Sequence, residues 1–334
     1  MNNERPIIGL TMGDPAGVGP ELSLRALNAT ELASICRLAI FGDAVVLESC
    51  ARAIGLSIPA IPRLAPSEFM NASLPASHML VDHQQIGLAD FTRCQVNSSC
   101  GKASFQYIQS AIDAALAGRV AAVTTGPINK EATHAAGITY PGHTEMFAER
   151  SADGPWCMMQ YSPEVTCTFV TVHVGYAEVP KLLTQRSILD TIELTAAALQ
   201  RLGGMSAPRL AVCGLNPHAG EHGLFGDGEE ERLIIPAIKA ARQQGITVEG
   251  PLPPDTAFLP AKRKQVDAIV CMYHDQGHIP LKALAFDSAV NTTLGLKIVR
   301  TSVDHGTAFD IAWTGAAKPD SLYAAIRLAV KLGG

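Results

Sequence analysis

The sequence predicts an α/β protein, because short β-rich runs alternate with longer stretches of helical periodicity along its 334 residues. Hydrophobic residues make up 47% of the chain and charged residues 17%. The usual charged share is about 25%, so this chain can bury a large core. At roughly 150 residues per domain, its length indicates two domains. No fixed-period repeat or linker-like run separates them, so we expect the domains to share a broad interface or to exchange strands.

The individual elements follow from apolar runs and the turn residues that end them. Residues 7–12 form an apolar run that ends at Gly13-Asp14-Pro15, which predicts a buried strand leaving the sheet through a loop. Pro20 and Glu21 then open a helix, because proline is tolerated in a first helical turn. Further predicted strands are 38–41, 120–123, 165–172, 210–212 and 268–272; predicted helices are 44–54, 101–116, 186–202 and 229–244; the proline-rich stretch 57–75 is predicted to be irregular. This alternation favours a mostly parallel sheet flanked by helices.

Charge and hydropathy exclude several classes of protein. The net charge is −5 and the basic residues form no block longer than Lys262-Arg263-Lys264, so a nucleic-acid surface or a polybasic membrane anchor is not expected. No apolar stretch approaches the roughly 20 residues of a membrane span, and residues 1–6 lack the layout of a secretion signal. The eight cysteines include no C-x-x-C pair. We therefore expect a cytoplasmic protein with buried thiols.

Three histidines follow three separate predicted strands. His173, His218 and His274 each lie where a strand ends. Ligands of open parallel sheets bind outside these carboxyl ends, and imidazole is a common ligand of divalent metals. The trio therefore indicates a metal site, although a loop histidine bonded to a backbone carbonyl is the simpler interpretation of each one alone.

A second set of residues suits an anionic substrate. Gly142-His143-Thr144-Glu145 has the pattern of a tight turn that opens a helix, and exposed helix amides attract anions. Lys282, Asn291 and Arg300 follow the third histidine loop, and arginine with lysine is a usual combination for carboxylate or phosphate.

The glycines of residues 13–21 follow a strand and precede a helix, as those of a dinucleotide fingerprint do. They do not continue to the third glycine of G-x-G-x-x-G, so we reject a Rossmann fingerprint. The chain also lacks a Walker A lysine pattern and a G-x-S-x-G nucleophile elbow.

Five motifs together resemble the PdxA family. They are Gly13-Asp14-Pro15-Ala16-Gly17-Val18-Gly19-Pro20-Glu21, Gly142-His143-Thr144-Glu145, Asn216-Pro217-His218-Ala219-Gly220-Glu221, Tyr273-His274-Asp275-Gln276-Gly277 and Arg300-Thr301-Ser302-Val303-Asp304-His305-Gly306-Thr307-Ala308. The resemblance implies two α/β/α domains of the isocitrate/isopropylmalate dehydrogenase-like type, with an interdomain cleft, in a homodimer whose active site the partner subunit completes. It implies a cofactor-side domain of residues 1–129 with 290–334, and a metal-binding and dimerisation domain of residues 130–289.

The resemblance also implies roles for individual residues. A divalent metal (Zn, Mg, Mn, Co or Ni) would bind His173, His218 and His274. The substrate would contact His143, Thr144, Lys282, Asn291 and Arg300. NAD would contact Gly295, His305, Gly306, Thr307 and Asp310, and NADP remains an alternative. Asp255, Asp275 and Lys282 are the candidate catalytic residues, and the choice of general base between the two aspartates stays open.

The implied reaction is the oxidation, by NAD, of the C3 hydroxyl of a 4-phosphorylated four-carbon hydroxy acid, followed by decarboxylation of the 3-oxo acid. His278 and the segments 224–227 and 312–315 resemble the branch that acts on 4-phospho-D-threonate and 4-phospho-D-erythronate. The alternatives are 4-hydroxy-L-threonine-4-phosphate, as in pyridoxal phosphate synthesis, and a terephthalate cis-dihydrodiol. Outside this reaction class, a metal-dependent aldolase or lyase, or a sugar-acid-binding module without NAD chemistry, would also use the histidine trio.

Overall fold

The computed structural model describes residues 5–203, 205–285 and 288–333. Its β-strands are β1 (Ile7–Thr11), β2 (Arg37–Gly42), β3 (Arg63–Leu64), β4 (Met79–Asp82), β5 (Ala122–Thr125), β6 (Ala152–Tyr161), β7 (Cys167–Phe169), β8 (Arg209–Cys213), β9 (Thr247–Leu252), β10 (Ala268–Cys271), β11 (Val290–Leu296) and β12 (Val299–Ser302). Residues 1–4, part of the stretch in which no secretion signal is predicted, lie outside the described residues.

Helices alternate with these strands. They are α1 (Gly19–Asn28), α2 (Thr30–Ile35), α3 (Ala44–Ile54), α4 (Pro66–Asn71), α5 (Ser98–Leu116), α6 (Lys130–Ala135), α7 (His143–Ser151), α8 (Val179–Leu182), α9 (Gln185–Gly203), α10 (Ile235–Gln243), α11 (Pro254–Ala257), α12 (Pro260–Arg263), α13 (His274–Ala285) and α14 (Asp320–Gly333). The predicted α/β class is confirmed. None of the helices in the described ranges combines the length and hydropathy that crossing a membrane requires.

The chain forms two compact units. Unit 1 comprises residues 1–151 and 297–334, and unit 2 comprises residues 152–296. These bounds are not those of the two domains expected from sequence (1–129 with 290–334, and 130–289), whose roles in cofactor binding and dimerisation stay a prediction.

Unit 1 contains six parallel strands in the order β3-β4-β2-β1-β5-β12. Strand β1 is buried along its whole length, as its continuous apolar run predicts. Helix α3 has the predicted bounds, since Gly55 follows it in the left-handed conformation that ends many helices. The predicted irregular stretch 57–75 is wrong in part. Pro66 occupies a first helical turn and Glu68 caps the backbone of Ala65, so the short α4 forms there beside β3.

Unit 2 orders its strands β11-β6-β7-β10-β8-β9. Strand β6 is antiparallel to both β11 and β7, whereas β7, β10, β8 and β9 are mutually parallel neighbours. The apolar core between these strands and helices α9 and α10 includes Ile188, Ile192, Val212, Ile238 and Val270. The helix expected at 229–244 begins instead with a π-helical turn, Glu230–Ile234, before α10.

All eight cysteines are free thiols, and seven are buried as predicted. Cys94 is the exception, since it is exposed.

Candidate active site

The three predicted metal-ligand histidines follow three adjacent strands of unit 2. His173 comes after β7, His274 begins α13 after β10, and His218 comes after β8. Because β7, β10 and β8 are parallel neighbours, the loops that carry these histidines leave from the same edge of the sheet.

Side-chain hydrogen bonds tie these three loops together. The Thr171 hydroxyl donates to the Met272 carbonyl (2.8 Å), which joins the loop after β7 to the loop after β10. The buried Gln276 accepts from the Met272 backbone N–H (2.7 Å) and donates to the Gly214 carbonyl (2.8 Å), which joins the loops after β10 and β8. These bonds between side chains and backbone groups therefore fix the positions of the three histidine-bearing loops relative to one another.

His173 and His274 lie together. Their ring centroids are 5.8 Å apart, and both rings line a cavity of about 270 Å³ with Tyr176, Tyr273 and Asp275. The ring of His278 stacks on His274 at 3.8 Å, and its Nδ1 donates to the His274 carbonyl. Because His278 is buried, it fixes the plane of the His274 ring from inside the unit.

His218 lies in a different setting. His218 lies in the turn Pro217–Gly223. Its ring stacks against that of Phe225, with the ring centroids 5.8 Å apart. The five residues from His218 to His222 all have positive φ, a left-handed conformation that costs about 1–2 kcal/mol for each non-glycine residue.

The buried carboxylate of Glu230 holds the start of this turn. It accepts from the backbone N–H groups of Leu215 (2.9 Å) and Asn216 (2.8 Å), and its second oxygen accepts from the Asn216 amide (3.0 Å). The same amide donates to Glu229 (2.9 Å). Glu230, in the π-helical turn that follows, therefore anchors the strained turn.

A metal would need these ligands around one point. Among the described residues, no group of three or more His, Cys, Asp or Glu side chains is arranged to hold a metal ion. The ligation of one metal ion by all three histidines stays a prediction.

The candidate catalytic residues of unit 2 differ in their surroundings. Asp275 accepts from the Tyr176 hydroxyl, and one of its carboxylate oxygens lies 2.6 Å from His274 Nδ1. These two contacts, the tyrosine's first, lower the pKa of Asp275. Asp255 is exposed in the first turn of α11, and Lys282 is exposed on α13. Asp275 is therefore placed to orient the His274 ring.

Unit 1 contains a buried cationic pocket at the start of α7. Arg300, on β12, is only 2% exposed and donates to the Thr125 hydroxyl (3.0 Å). Burial lowers the pKa of Arg300 to about 10, so the guanidinium stays charged at neutral pH. The His143 ring begins α7, and its buried Nε2 has no hydrogen-bond partner. Thr144 beside it is buried. A buried nitrogen without a partner is uncommon, and here it suits a ligand oxygen.

Burial, followed by the charges of Arg300 and Lys130, lowers the pKa of His143 well below its usual value. His143 is therefore neutral at physiological pH and offers a ring N–H rather than a charge. Sequence reasoning missed Lys130, which is exposed at the first position of α6, and a β-carbon at Gly142 would lie 3.9 Å from its Cε. Its position in the segment that follows β5 was the signal that the sequence offered.

The last predicted substrate ligand, Asn291, lies on β11 of unit 2. Its buried Oδ1 has no hydrogen-bond partner. It is thus a second predicted ligand with an unsatisfied buried polar atom.

The predicted cofactor residues fall into two groups. Gly295 has positive φ at a bulge of β11, and a β-carbon there would meet the Pro155 carbonyl at 2.2 Å, so unit 2 itself requires glycine at this position. The other four lie in unit 1 after β12. Gly306 and Asp310 are exposed, His305 is half-buried, and Thr307 is buried. A β-carbon at Gly306 would meet no atom within 4 Å, and an exposed carboxylate suits ribose hydroxyls, so this loop fits a nucleotide.

Comparison with known proteins places the chain among dehydrogenases. Residues 34–329 match the family model described as pyridoxal phosphate biosynthetic protein PdxA. The chain is 47% identical over 329 residues to 4-hydroxythreonine-4-phosphate dehydrogenase of Desulfosudis oleivorans, covering 98% of this chain and 96% of the relative. It is 41% identical over 334 residues to D-threonate 4-phosphate dehydrogenase of Cupriavidus necator, covering 99% and 98%. The crystal structure of 4-hydroxythreonine-4-phosphate dehydrogenase from Klebsiella pneumoniae matches with a TM-score of 0.85 and 40% identity, covering 100% of this chain and 99% of that one.

The names of these relatives confirm the prediction of a dehydrogenase that acts on a CH–OH group. The match to the family model and to relatives across the full length leads to the same identification as the five sequence motifs. The chain belongs to the PdxA family.

Proposed function

We propose that this chain oxidises the C3 hydroxyl of 4-phospho-D-threonate or 4-phospho-D-erythronate with NAD and then decarboxylates the 3-oxo acid. The observation that carries this proposal is the cationic pocket of unit 1, where Arg300 is buried and charged beside the unsatisfied Nε2 of His143. The negative charge of Glu145 acts on the same guanidinium, and a phosphate ester would add two charges and several acceptor oxygens for Arg300 and the His143 N–H.

The relatives' names contain two substrates, and both end in a phosphate at C4. D-threonate 4-phosphate has a hydroxyl at C2, where 4-hydroxythreonine 4-phosphate has an amine. The phosphate pocket therefore suits both, and the choice depends on the groups that face C2. We favour the hydroxy acid because the segment 275–282, with His278, resembles that branch of the family.

NAD, held by residues 305–310, would supply the hydride acceptor for the oxidation at C3. The buried guanidinium of Arg300 and the N–H of neutral His143 hold the phosphate, which fixes the distance from the phosphate to C3. Asp275, held by Tyr176 and His274, orients the His274 ring. This leaves Asp255 as the proposed base for the C3 hydroxyl proton, and Lys282 as the proposed point charge on a substrate oxygen. The 3-oxo acid then loses CO2, and protonation of the resulting enolate gives dihydroxyacetone phosphate.

We also propose that the chain acts as a homodimer whose partner completes the active site. Exposed apolar side chains occur close in sequence to two of the metal-ligand candidates: Leu224, six residues after His218, is 70% exposed, and Ile279, five residues after His274, is 67% exposed. Large apolar side chains beside functional residues are typical of a covered surface. We propose that a second copy of the chain completes the metal site. The proposal includes a divalent metal held by His173, His218 and His274 in this dimer.

The proposal is tested by following NADH absorbance with 4-phospho-D-threonate, 4-phospho-D-erythronate, 4-phosphohydroxy-L-threonine and a cis-dihydrodiol. We expect the first two substrates to give the highest kcat/KM. Replacing the buried cation in Arg300→Met should raise the KM of the phosphorylated substrate about 100-fold, because hydrogen bonds to charged groups contribute roughly 1.5–3 kcal/mol each. An aldolase or a binding module would give no NADH with any of the four, and an unchanged KM in Arg300→Met would remove the phosphate pocket from the proposal.

A further inference from the structure

The glycine-rich segment 13–21 has no role in the reaction as proposed, yet it contacts the loop of residues 305–317, here called the cofactor loop. The Val18 N–H donates to the Thr307 carbonyl (3.0 Å). The indole N–H of Trp313 donates to the Pro15 carbonyl (3.1 Å). A β-carbon at Gly17 would lie 2.9 Å from the Thr307 Cβ, so only glycine allows this approach. The motif that resembles a nucleotide fingerprint therefore packs against protein instead.

Glu21, at the end of the same segment, holds the far end of the cofactor loop. One carboxylate oxygen accepts from the Gly315 N–H (3.1 Å) and the other from the Ala317 N–H (3.0 Å). Arg25, one turn along α1, donates to the second oxygen (3.0 Å). The Glu21 side chain is 0% exposed. Burying a carboxylate is unfavourable unless its acceptors are satisfied, and here two loop amides and one guanidinium satisfy them.

The anchors leave the middle of the loop accessible. Thr307 is fixed by Val18, and Gly315 with Ala317 is fixed by Glu21. Between these points Asp310 keeps its side chain exposed. A loop that is held at both ends loses little conformational entropy when a ligand binds to it, which strengthens binding without new contacts.

We infer that Glu21 is a positioning residue for the nicotinamide cofactor, because its carboxylate holds the cofactor loop in the conformation that binds the nucleotide. The inference rests on the proposed assignment of residues 305–310 to cofactor binding. Glu21 itself is buried behind the loop and acts through it.

The test uses the full-length enzyme with Glu21→Gln in a Trp156→Phe background, which leaves Trp313 as the sole tryptophan. The glutamine amide would face one of the two loop N–H groups with a donor instead of an acceptor. We expect faster hydrogen exchange at the amides of Gly315 and Ala317. We expect the Kd of NAD, titrated by Trp313 fluorescence without substrate, to rise about tenfold, and the KM of the phosphorylated substrate to stay within twofold.

The matched control is Glu31→Gln in the same background. Glu31 also pairs with an arginine of its own unit, Arg327 at 3.3 Å, but it is exposed and holds no loop amide, so exchange and Kd should not change. If Glu21→Gln does not fold, Arg25→Met removes the cation beside the same carboxylate together with the Arg25 hydrogen bond to the Gly315 carbonyl, and it should raise the Kd of NAD about threefold.

Two results would overturn the inference. One is unchanged exchange at Gly315 and Ala317 in Glu21→Gln. The other is faster exchange with a Kd of NAD within twofold of the parent. Failure of the proposed reaction is recognised separately, because the parent enzyme would then produce no NADH from any phosphorylated hydroxy acid, whatever the Kd of NAD in the variants.

Discussion

Each compact unit anchors one long loop through a buried glutamate, and the two loops differ in backbone strain. Glu21 of unit 1 and Glu230 of unit 2 are both 0% exposed, and each accepts from two backbone N–H groups of its loop. In the cofactor loop the residues with positive φ, Ala308, Trp313 and Gly315, are not consecutive. In the turn after β8, all five residues from 218 to 222 are left-handed.

The charged groups beside the two glutamates also differ. Glu21 has the Arg25 guanidinium beside it, whereas Glu230 shares the Asn216 amide with a second carboxylate, that of Glu229. Four of the five residues from 218 to 222 are not glycine, so their conformation costs several kcal/mol at about 1–2 kcal/mol each. Such strain persists only where neighbouring contacts enforce it. The comparison therefore describes a less strained loop in unit 1 and a more strained one in unit 2 that depends on its anchor.

The largest effect should come from removing the anchor of the strained turn. In Glu230→Ala, the amides of Leu215 and Asn216 lose their acceptor, and the His218 turn should relax to a right-handed or extended conformation. We expect kcat for the phosphorylated substrate to fall at least 100-fold, with faster hydrogen exchange over residues 214–224. The Kd of NAD should stay within twofold, because the cofactor loop belongs to unit 1.

Glu231→Ala is the control for this prediction, since the neighbouring Glu231 is exposed. A parental kcat in Glu230→Ala would contradict the dependence of the turn on its anchor. A rise in the Kd of NAD as large as that in Glu21→Gln would show that the two anchors do not act separately.

A smaller effect, confined to binding, is expected from Lys130. The positive charge of Lys130 helps to lower the pKa of His143, so it lies close enough to attract the same anion. In Lys130→Met we expect the KM of the phosphorylated substrate to rise about fivefold. This rise corresponds to the roughly 1 kcal/mol that an exposed ion pair contributes. The kcat should not change, in contrast to Glu230→Ala. Lys102→Met removes another exposed charge of unit 1 and should leave both constants unchanged.

The sequence predicts most of the central strands and the positions of the candidate ligands, because both depend on local pattern. The apolar runs of β1 and β10 and the helix at Ala44–Ile54 are examples. Strands β6 and β11 were not predicted. Strand β6 contains Asp153-Gly154-Pro155, and β11 contains Asn291 and Gly295, all residues that are unfavourable in strands. Their antiparallel pairing with each other, and that of β6 with β7, explain why they form.

The anchors were missed for a different reason. In sequence, Glu21 and Glu230 have the pattern of ordinary surface residues of helices. Their role depends on distant contacts, and Glu21 bonds to amides 294 and 296 residues further along the chain. The left-handed turn after β8 was missed as well, because its two glycines, Gly220 and Gly223, do not signal six consecutive positive φ angles.

An effect on stability rather than on activity is expected at Asp14, a buried carboxylate of unit 1 that has no arginine beside it in the way that Glu21 has. Asp14 is 0% exposed, and its Oδ1 accepts from the Ala16 N–H (2.8 Å). Burial raises the pKa of Asp14 from 3.8 to about 6. The folded state therefore holds the proton more tightly than the unfolded state. The stability contributed by this proton is complete below pH 3.8 and is lost as the pH rises through 6.

A shift of roughly two pH units corresponds to about 3 kcal/mol at most. Asp14→Asn keeps the oxygen that accepts from Ala16 but cannot ionise. In urea unfolding followed by tryptophan fluorescence, the free energy of unfolding of the variant should match that of the parent near pH 4 and exceed it by about 2–3 kcal/mol at pH 8. Asp90→Asn, at an exposed aspartate that also accepts from a local backbone N–H, should show no such pH dependence. Equal stability of parent and Asp14→Asn at pH 8 would mean that unit 1 stabilises the Asp14 carboxylate as effectively as it stabilises Glu21. The contrast between Glu21, which has an arginine beside it, and Asp14, which has none, would then be wrong.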